Sequence, residues 1–247
     1  MSWTDYEELD AARTRHGRGF RFRQYDESSQ ILIVTIPGGP YETLHGGLYF
    51  HCMAQIIRMD LDDHWATTGA KRHQSDINTT LGGRKGKEGD SSGGPDPERV
   101  GPGKWPTLVI EAGVSERYAV LKSDMDWWFR HSDHQVKIVI LMDLDSRARI
   151  IKIEKWTEEH QGHPNLRSRP SLVPQIRQTI DIALRVDRGG NNTIDVISTP
   201  LILEFDLLFL RAPRQGEHDV VITLEKIRHM ATRVFRETGM IPTSTLV

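Results

Sequence analysis

Hydrophobic positions change their period several times along the 247 residues, and each change marks an element. Phe20 to Tyr25 alternates aromatic and basic residues, the polar Asp26-Glu27-Ser28-Ser29 follows, and Gln30 to Ile36 is apolar and β-branched. Two strands joined by a turn are the simplest reading. Pro37-Gly38-Gly39-Pro40 stops the second strand, and from Tyr41 to Met59 the period turns helical, with Leu44, Leu48, Cys52, Ile56 and Met59 in phase. This predicts an amphipathic helix whose start is weakened by Gly46 and Gly47.

Residues 107 to 156 hold the most regular pattern. Thr107 to Ala112 predicts a buried strand; Ser115 to His131 predicts a helix capped by Ser115, with Tyr118, Leu121, Met125, Trp128 and Phe129 on one face. Val136 to Leu144 is a nearly continuous apolar strand, and Ala148 to Trp156 alternates like a half-exposed one, with Glu154 and Lys155 facing solvent. Strand, helix, strand, strand is an α/β core. Further on, Ile176 to Val186 and Pro200 to Phe205 predict two strands separated by the turn-like Asp187 to Asn191, and Thr223 to Arg236 predicts a helix presenting Ile227, Met230, Ala231 and Val234.

Between these regions, His64 to Leu81 offers only short strand-like pieces. Gly82 to Lys104 contains eight glycines, three prolines and no aromatic residue. Such a composition buries too little apolar surface to offset its ordering entropy, so a mobile surface loop is expected there. No repeat, P-loop or dinucleotide-binding glycine pattern is present. The expected organisation is one domain over 1–247, with a core over about 30–160, the mobile loop at 82–104 and a C-terminal extension at 170–247.

Composition narrows the function classes. The single Cys52 cannot form an intramolecular disulfide, and no Cys/His set has zinc-binding spacing, which excludes a disulfide scaffold and a structural zinc module. The acidic N-terminus is neither a signal nor a transit peptide, and no window approaches the roughly 18 apolar residues of a membrane span, so a soluble, intracellular protein (cytoplasmic or nuclear) is expected. Lys and Arg number 32 against 34 Asp and Glu, a net charge of -2. Nucleic-acid binding would then be weak and salt-dependent, relying on local basic surface or a bound cation.

The candidate chemistry centres on Glu111, an acid inside the apolar run Leu108-Val109-Ile110-Glu111-Ala112-Gly113. A buried carboxylate needs a cation, a hydrogen-bond network or a metal; the competing reading is a solvated strand face or a local Arg partner. Arg13, Arg15, His16, Arg18, Arg21 and Arg23, interleaved with Phe20, Phe22 and Tyr25, form the one dense basic segment. It reads either as an arm that tracks phosphates and stacks bases or as a charged edge strand, the second reading weighing more. Trp127 and Trp128 are read as packing anchors. Asp60 to His64 is read as a solvated acidic turn, and His45 and His51, six apart, do not share a helix face as a zinc pair would.

The stretches Trp105 to Glu116, Asp126-Trp127-Trp128, Val136 to Leu141 and Ile153 to Trp156 resemble a group of fungal proteins of the restriction-endonuclease-like, PD-(D/E)XK class. The resemblance is good from about 105 to 156, weaker from 41 to 81 and faint afterwards. It implies a mixed central sheet flanked by helices, with the C-terminal extension packed against it. It also implies Mg²⁺- or Mn²⁺-dependent phosphodiester hydrolysis, with nucleic acid as partner. Residue by residue, Ser75-Asp76 is similar to the PD element and Glu111 to the (D/E) position, which makes Asp76 and Glu111 the metal ligands. The motif lysine is replaced by Gly113, which nominates Lys122 on the following helix or Lys137 on the next strand. Gly113 and Ser75 equally suit a catalytically degenerate module that binds nucleic acid or protein. A third reading is an enzyme of unrelated chemistry using a pocket near Glu111 and His73.

Overall fold

The computed structural model describes residues 1–17, 19–36, 38–68, 72–74, 84–101, 103–114, 117–161 and 171–242, with backbone alone at 72–74, 161 and 171. In chain order the elements are α1 (Trp3–His16), β1 (Arg21–Asp26), β2 (Ile31–Thr35), α2 (Gly39–Arg58), a 3₁₀ turn (Asp62–His64), β3 (Trp65–Thr67), β4 (Arg72–Gln74), β5 (Lys85–Glu88) and β6 (Ser91–Pro95). They continue with β7 (Leu108–Val114), α3 (Tyr118–His131), β8 (Ile138–Asp145), β9 (Ile150–Gln161), β10 (Ser171–Val186), β11 (Asn192–Ile197), β12 (Leu201–Leu203), α4 (Phe205–Phe209), β13 (Val220–Ile222) and α5 (Leu224–Glu237).

The centre is a seven-stranded mixed sheet of order β11-β10-β9-β8-β7-β6-β3. Its one parallel pair is β7 with β8, joined through α3; the other neighbours run antiparallel. A parallel pair buried on both faces accounts for the near-continuous apolar runs of β7 and β8. Leu108, Ile110, Ile138 and Ile140 enter the core shared with α2 and α5, whereas Val109, Val139 and Leu141 enter a second core under α3 with Trp105 and Trp128. A smaller antiparallel sheet, β2-β1-β5-β4, carries α1, whose Tyr6 packs on Phe22 and Tyr25.

Several sequence expectations are overturned by long-range packing. The glycine-rich stretch over 82–104 is not a mobile loop where the structure describes it, since it supplies β5 and β6, and Lys87 to Pro95 is buried. A Cβ at Gly93 would lie 2.5 Å from Trp65 Nε1 and from the Tyr49 hydroxyl, and one at Gly94 2.9 Å from Arg99 Cβ. The glycines therefore serve close approach of the sheet to large side chains rather than freedom of the chain. The expected C-terminal extension is part of the main sheet through β10 and β11, and β11 was not anticipated.

The N-terminal segment is a helix, closed by a capping box in which the Ser2 hydroxyl accepts from Asp5 N–H (3.2 Å) and Asp5 Oδ2 accepts from Ser2 N–H (2.9 Å). Glu154 and Lys155, expected in solvent, are both buried. Glu154 accepts from the Tyr118 hydroxyl and from Trp156 Nε1, and Lys155 donates to Ile202 O and Glu204, each at 2.7 Å. The expected cap Ser115 lies outside the described residues. No helix among the described residues is long and apolar enough to cross a membrane.

Candidate active site

Alternation along β7 turns Glu111 toward α3, where its Oε1 accepts from Trp128 Nε1 at 2.5 Å. Lys87, the middle of β5, reaches the same place with no exposed surface: its Nζ lies 3.5 Å from Glu111 Oε1 and 2.5 Å from Asp124 Oδ1 of α3. Arg23 of β1 closes the other side of Asp124, with Nη2 at 2.5 Å from Oδ2. An ammonium this deeply buried is tolerable only because two carboxylates surround it.

A second carboxylate stands beside Glu111 along the sheet. Asp90 precedes β6, which pairs antiparallel with β7, and its Oδ2 accepts from Ala112 N–H at 2.7 Å. Its Oδ1 accepts from the Tyr41 hydroxyl of α2, and Arg21 donates to Asp90 O at 2.8 Å and approaches Oδ1 at 3.3 Å. The same guanidinium donates to both oxygens of Glu42 at 2.9 and 3.0 Å. His45, one turn after Tyr41, pairs its Nδ1 with the Ser91 hydroxyl at 2.8 Å.

These charges are unbalanced. Burial raises the Glu111 carboxyl, the Lys87 ammonium opposes it, and the charges of Asp90 and Asp124 leave it pushed up to about 8. Burial raises Asp90 as well, against the hydrogen bonds from Tyr41 and Ala112. Burial, with the Arg21 charge, holds His45 down to about 4, so its imidazole is neutral at neutral pH. Asp90 and Glu111 are thus short of positive charge. Among the described residues no group of three or more His, Cys, Asp or Glu is gathered to cage a metal. A pair of oxygen donors suits Mg²⁺ or Mn²⁺, which binds through one or two carboxylates and retains waters.

Of the residues singled out in the sequence, Glu111 lies at the centre. Asp76, with Ser75, lies outside the described residues. Lys122 is on the exposed side of α3, its Nζ 5.4 Å from the Trp156 ring centroid. Lys137 donates to His134 O at 2.8 Å and lines a cavity of about 640 Å³ with Glu158, Leu207 and Arg211, at the far end of β8 from Leu144, which pairs with Val114. The lysine that meets Glu111 is Lys87. His73 is on β4, its backbone paired with Lys87. Asp60, Asp62, Asp63 and His64 are exposed, as expected of a solvated turn.

Three arginines of the basic segment are engaged inside the protein, while Arg15 and His16 are exposed and Arg18 lies outside the described residues. Arg13 is buried against Glu88 (2.5 and 2.8 Å) and Asp10 (2.7 Å), while Arg21 and Arg23 turn inward to Asp90 and Asp124. Sequence reasoning read Lys87 only as loop charge near Asp76, diluted by Glu88 and Asp90, and assigned neither Lys87 nor Asp90 to the site because both fall in the glycine-rich stretch. The available signal was its run of charges, Lys85 to Asp90, followed by an apolar strand that carries an acid of its own.

No protein-family model matches the chain, and no curated protein matches it. Among solved structures, it is similar to a protein from Anabaena variabilis ATCC 29413 described as a candidate nuclease belonging to DUF820. The TM-score is 0.43, with 11% identity over 84% of this chain and 90% of that one.

Proposed function

We propose that the chain is a metal-dependent phosphodiesterase of the restriction-endonuclease-like type, acting on nucleic acid, with Asp90 and Glu111 as metal ligands and Lys87 as the lysine of the site. The observation that supports this most directly is the anchoring of Asp90 by the Ala112 N–H, which sets a second buried carboxylate beside Glu111 with an ammonium 3.5 Å away. In this reading Asp90 takes the role that the family resemblance assigned to Asp76, and Lys87 supplies from a strand of the second sheet what Gly113 cannot.

Mg²⁺, when bound, would supply charge stabilisation for the phosphate and a water of lowered pKa. The protein's part is positional. Tyr41 and Ala112 N–H fix the Asp90 oxygens, Trp128 fixes Glu111, and Asp124 holds the Lys87 ammonium at Glu111 Oε1. From there the ammonium would help orient an attacking water and stabilise the negative charge that develops on the phosphate oxygens.

The test is cleavage of labelled single- and double-stranded DNA and RNA during Mg²⁺ and Mn²⁺ titration, comparing the wild type with Asp90→Asn, Glu111→Gln and Lys87→Met while circular dichroism monitors folding. The expected result is cleavage by the wild type and a loss on the order of 10²-fold or more in each folded variant. A wild type that neither cleaves nor binds Mn²⁺ overturns the assignment and leaves an interaction module, a reading favoured by the protein donors already on both carboxylates.

A further inference from the structure

With Arg13, Arg21 and Arg23 turned inward, a separate group of cations stands where α5 lies across α2. Lys226, His229 and Arg233 recur at i, i+3 and i+7, one face of α5, and all three are exposed. Among the described residues none of the three forms an ion pair. His229 and Arg233 line a cavity of about 400 Å³ between the helices together with His51 and Glu42, and Lys226 borders an adjoining hollow that shares His229. Burial and the facing charges of Lys226, His229 and Arg233 hold His51 below the ordinary histidine range. Gly47 permits this close crossing, since a Cβ there would lie 3.0 Å from Met230 Cγ.

The groove also carries an aromatic ring. Phe50 is 67% exposed, edge-on to His51 at 5.7 Å between centroids, and no core claims it. An exposed ring beside cations fits a nucleobase that is not already stacked in a duplex. The groove is connected to the acid pair: Glu42 is held by Arg21, and the same guanidinium bonds Asp90. Acidic groups nearby are few. Glu237 is engaged by the Thr43 hydroxyl at 2.6 Å, and Glu225 faces an adjoining hollow on α5.

We infer that this groove between α2 and α5 is a binding track for single-stranded nucleic acid, with Lys226 and Arg233 on phosphates and Phe50 stacked on a base. The inference rests on the phosphodiesterase reading for its choice of polymer, but it concerns a different surface and is tested separately. A strand lying in the groove would meet Glu42, whose partner Arg21 also bonds Asp90.

The experiment is fluorescence anisotropy with a short fluorescein-labelled oligothymidine, in EDTA so that no hydrolysis intrudes, over a series of salt concentrations. Lys226→Gln and Arg233→Gln are each expected to reduce the slope of log K against log salt by about 0.7, and Phe50→Ala to weaken binding roughly fivefold or more. Arg177→Gln and Arg185→Gln on β10, whose partners are Glu159 and Asp195, serve as surface controls and should leave the slope unchanged. Absence of binding by the wild type, or equal losses in groove and control variants, overturns the track. Groove-dependent binding without metal-dependent cleavage keeps the track and removes the hydrolase. Cleavage whose KM ignores Lys226→Gln and Arg233→Gln keeps the hydrolase and removes the track.

Discussion

Lys87 has no exposed side-chain surface and lies 2.5 Å from Asp124 and 3.5 Å from Glu111. Lys87→Met should therefore cost about 3–5 kcal/mol, because it strands two buried acids rather than because it deletes a favourable pair. Chemical denaturation reads the loss, and adding Asp124→Leu to the variant should return part of it. Gly93 is the opposite case, a residue whose value is the absence of atoms. Gly93→Ala drives a methyl into Trp65 and Tyr49 and should cost roughly 1–3 kcal/mol through overpacking, whereas Ala at the open, helical Gly46 should stabilise by up to about 1 kcal/mol. A Gly93→Ala variant as stable as the wild type would show that β6 can shift to relieve the contact. Neither effect can be read from residue type alone, since lysine and glycine in a glycine-rich stretch suggest solvent and mobility until their neighbours are known.

Elements with a strong apolar pattern were legible in the sequence: α2, α3, β7, β8 and α5 lie within a few residues of the expected spans. Each helix has an apolar stripe that faces one core, and β7 and β8 are apolar runs buried on both faces, so local pattern and tertiary burial coincide. The Thr223 hydroxyl accepts from Lys226 N–H at the start of α5, and Thr223→Ala should lower stability by about 1 kcal/mol, measured as a thermal or urea shift. The proposed groove should keep its shape in that variant, because Ile227, Met230, Ala231, Val234 and Phe235 still anchor the helix. Elements that lacked such a stripe were missed: β5 and β6 are short, polar and glycine-rich, and their burial comes from strands far away in sequence. The inward turn of Arg13, Arg21 and Arg23 belongs to the same class, because its cause is the placement of Glu88, Asp90 and Asp124 around β1.

For the whole molecule, the shortage of cations at the acid pair sets a pH dependence with a definite sign. Glu111 has an ordinary value of 4.5 and is pushed up to about 8, so the folded chain binds more protons than the unfolded one between these values. Its contribution is fully present below about 4.5 and is lost as pH rises through 8. At the acid end, burial raises Asp26 but Lys85 and the Ser28 hydrogen bond outweigh it and bring the carboxyl down to about 2; that stability is present above 3.8 and lost as pH falls toward 2. Thermal melts should show stability falling from weakly acidic toward alkaline pH, and Glu111→Gln should flatten that limb. Mn²⁺ at a hundredfold excess over its Kd at pH 8 should stabilise the wild type by about 2.7 kcal/mol there, and by less at pH 5. A melting temperature indifferent to Mn²⁺ at both pH values would count against Asp90 and Glu111 as its ligands.

The sequence by itself determined the α/β core and one half of the candidate site. An acid in a run as apolar as Leu108 to Ala112 has no inexpensive place outside a polar network, and the helical and strand periods around it depend on neighbours a few positions away. Tertiary structure alone decided which groups meet that acid. Asp90 arrives through antiparallel pairing of β6 with β7, Lys87 through a strand of a second sheet, and Arg21 and Arg23 are drawn inward to Asp90 and Asp124. Charges act through space over a few ångströms, and here those distances join residues from 20 to more than 100 positions apart. No local pattern of residue types encodes them.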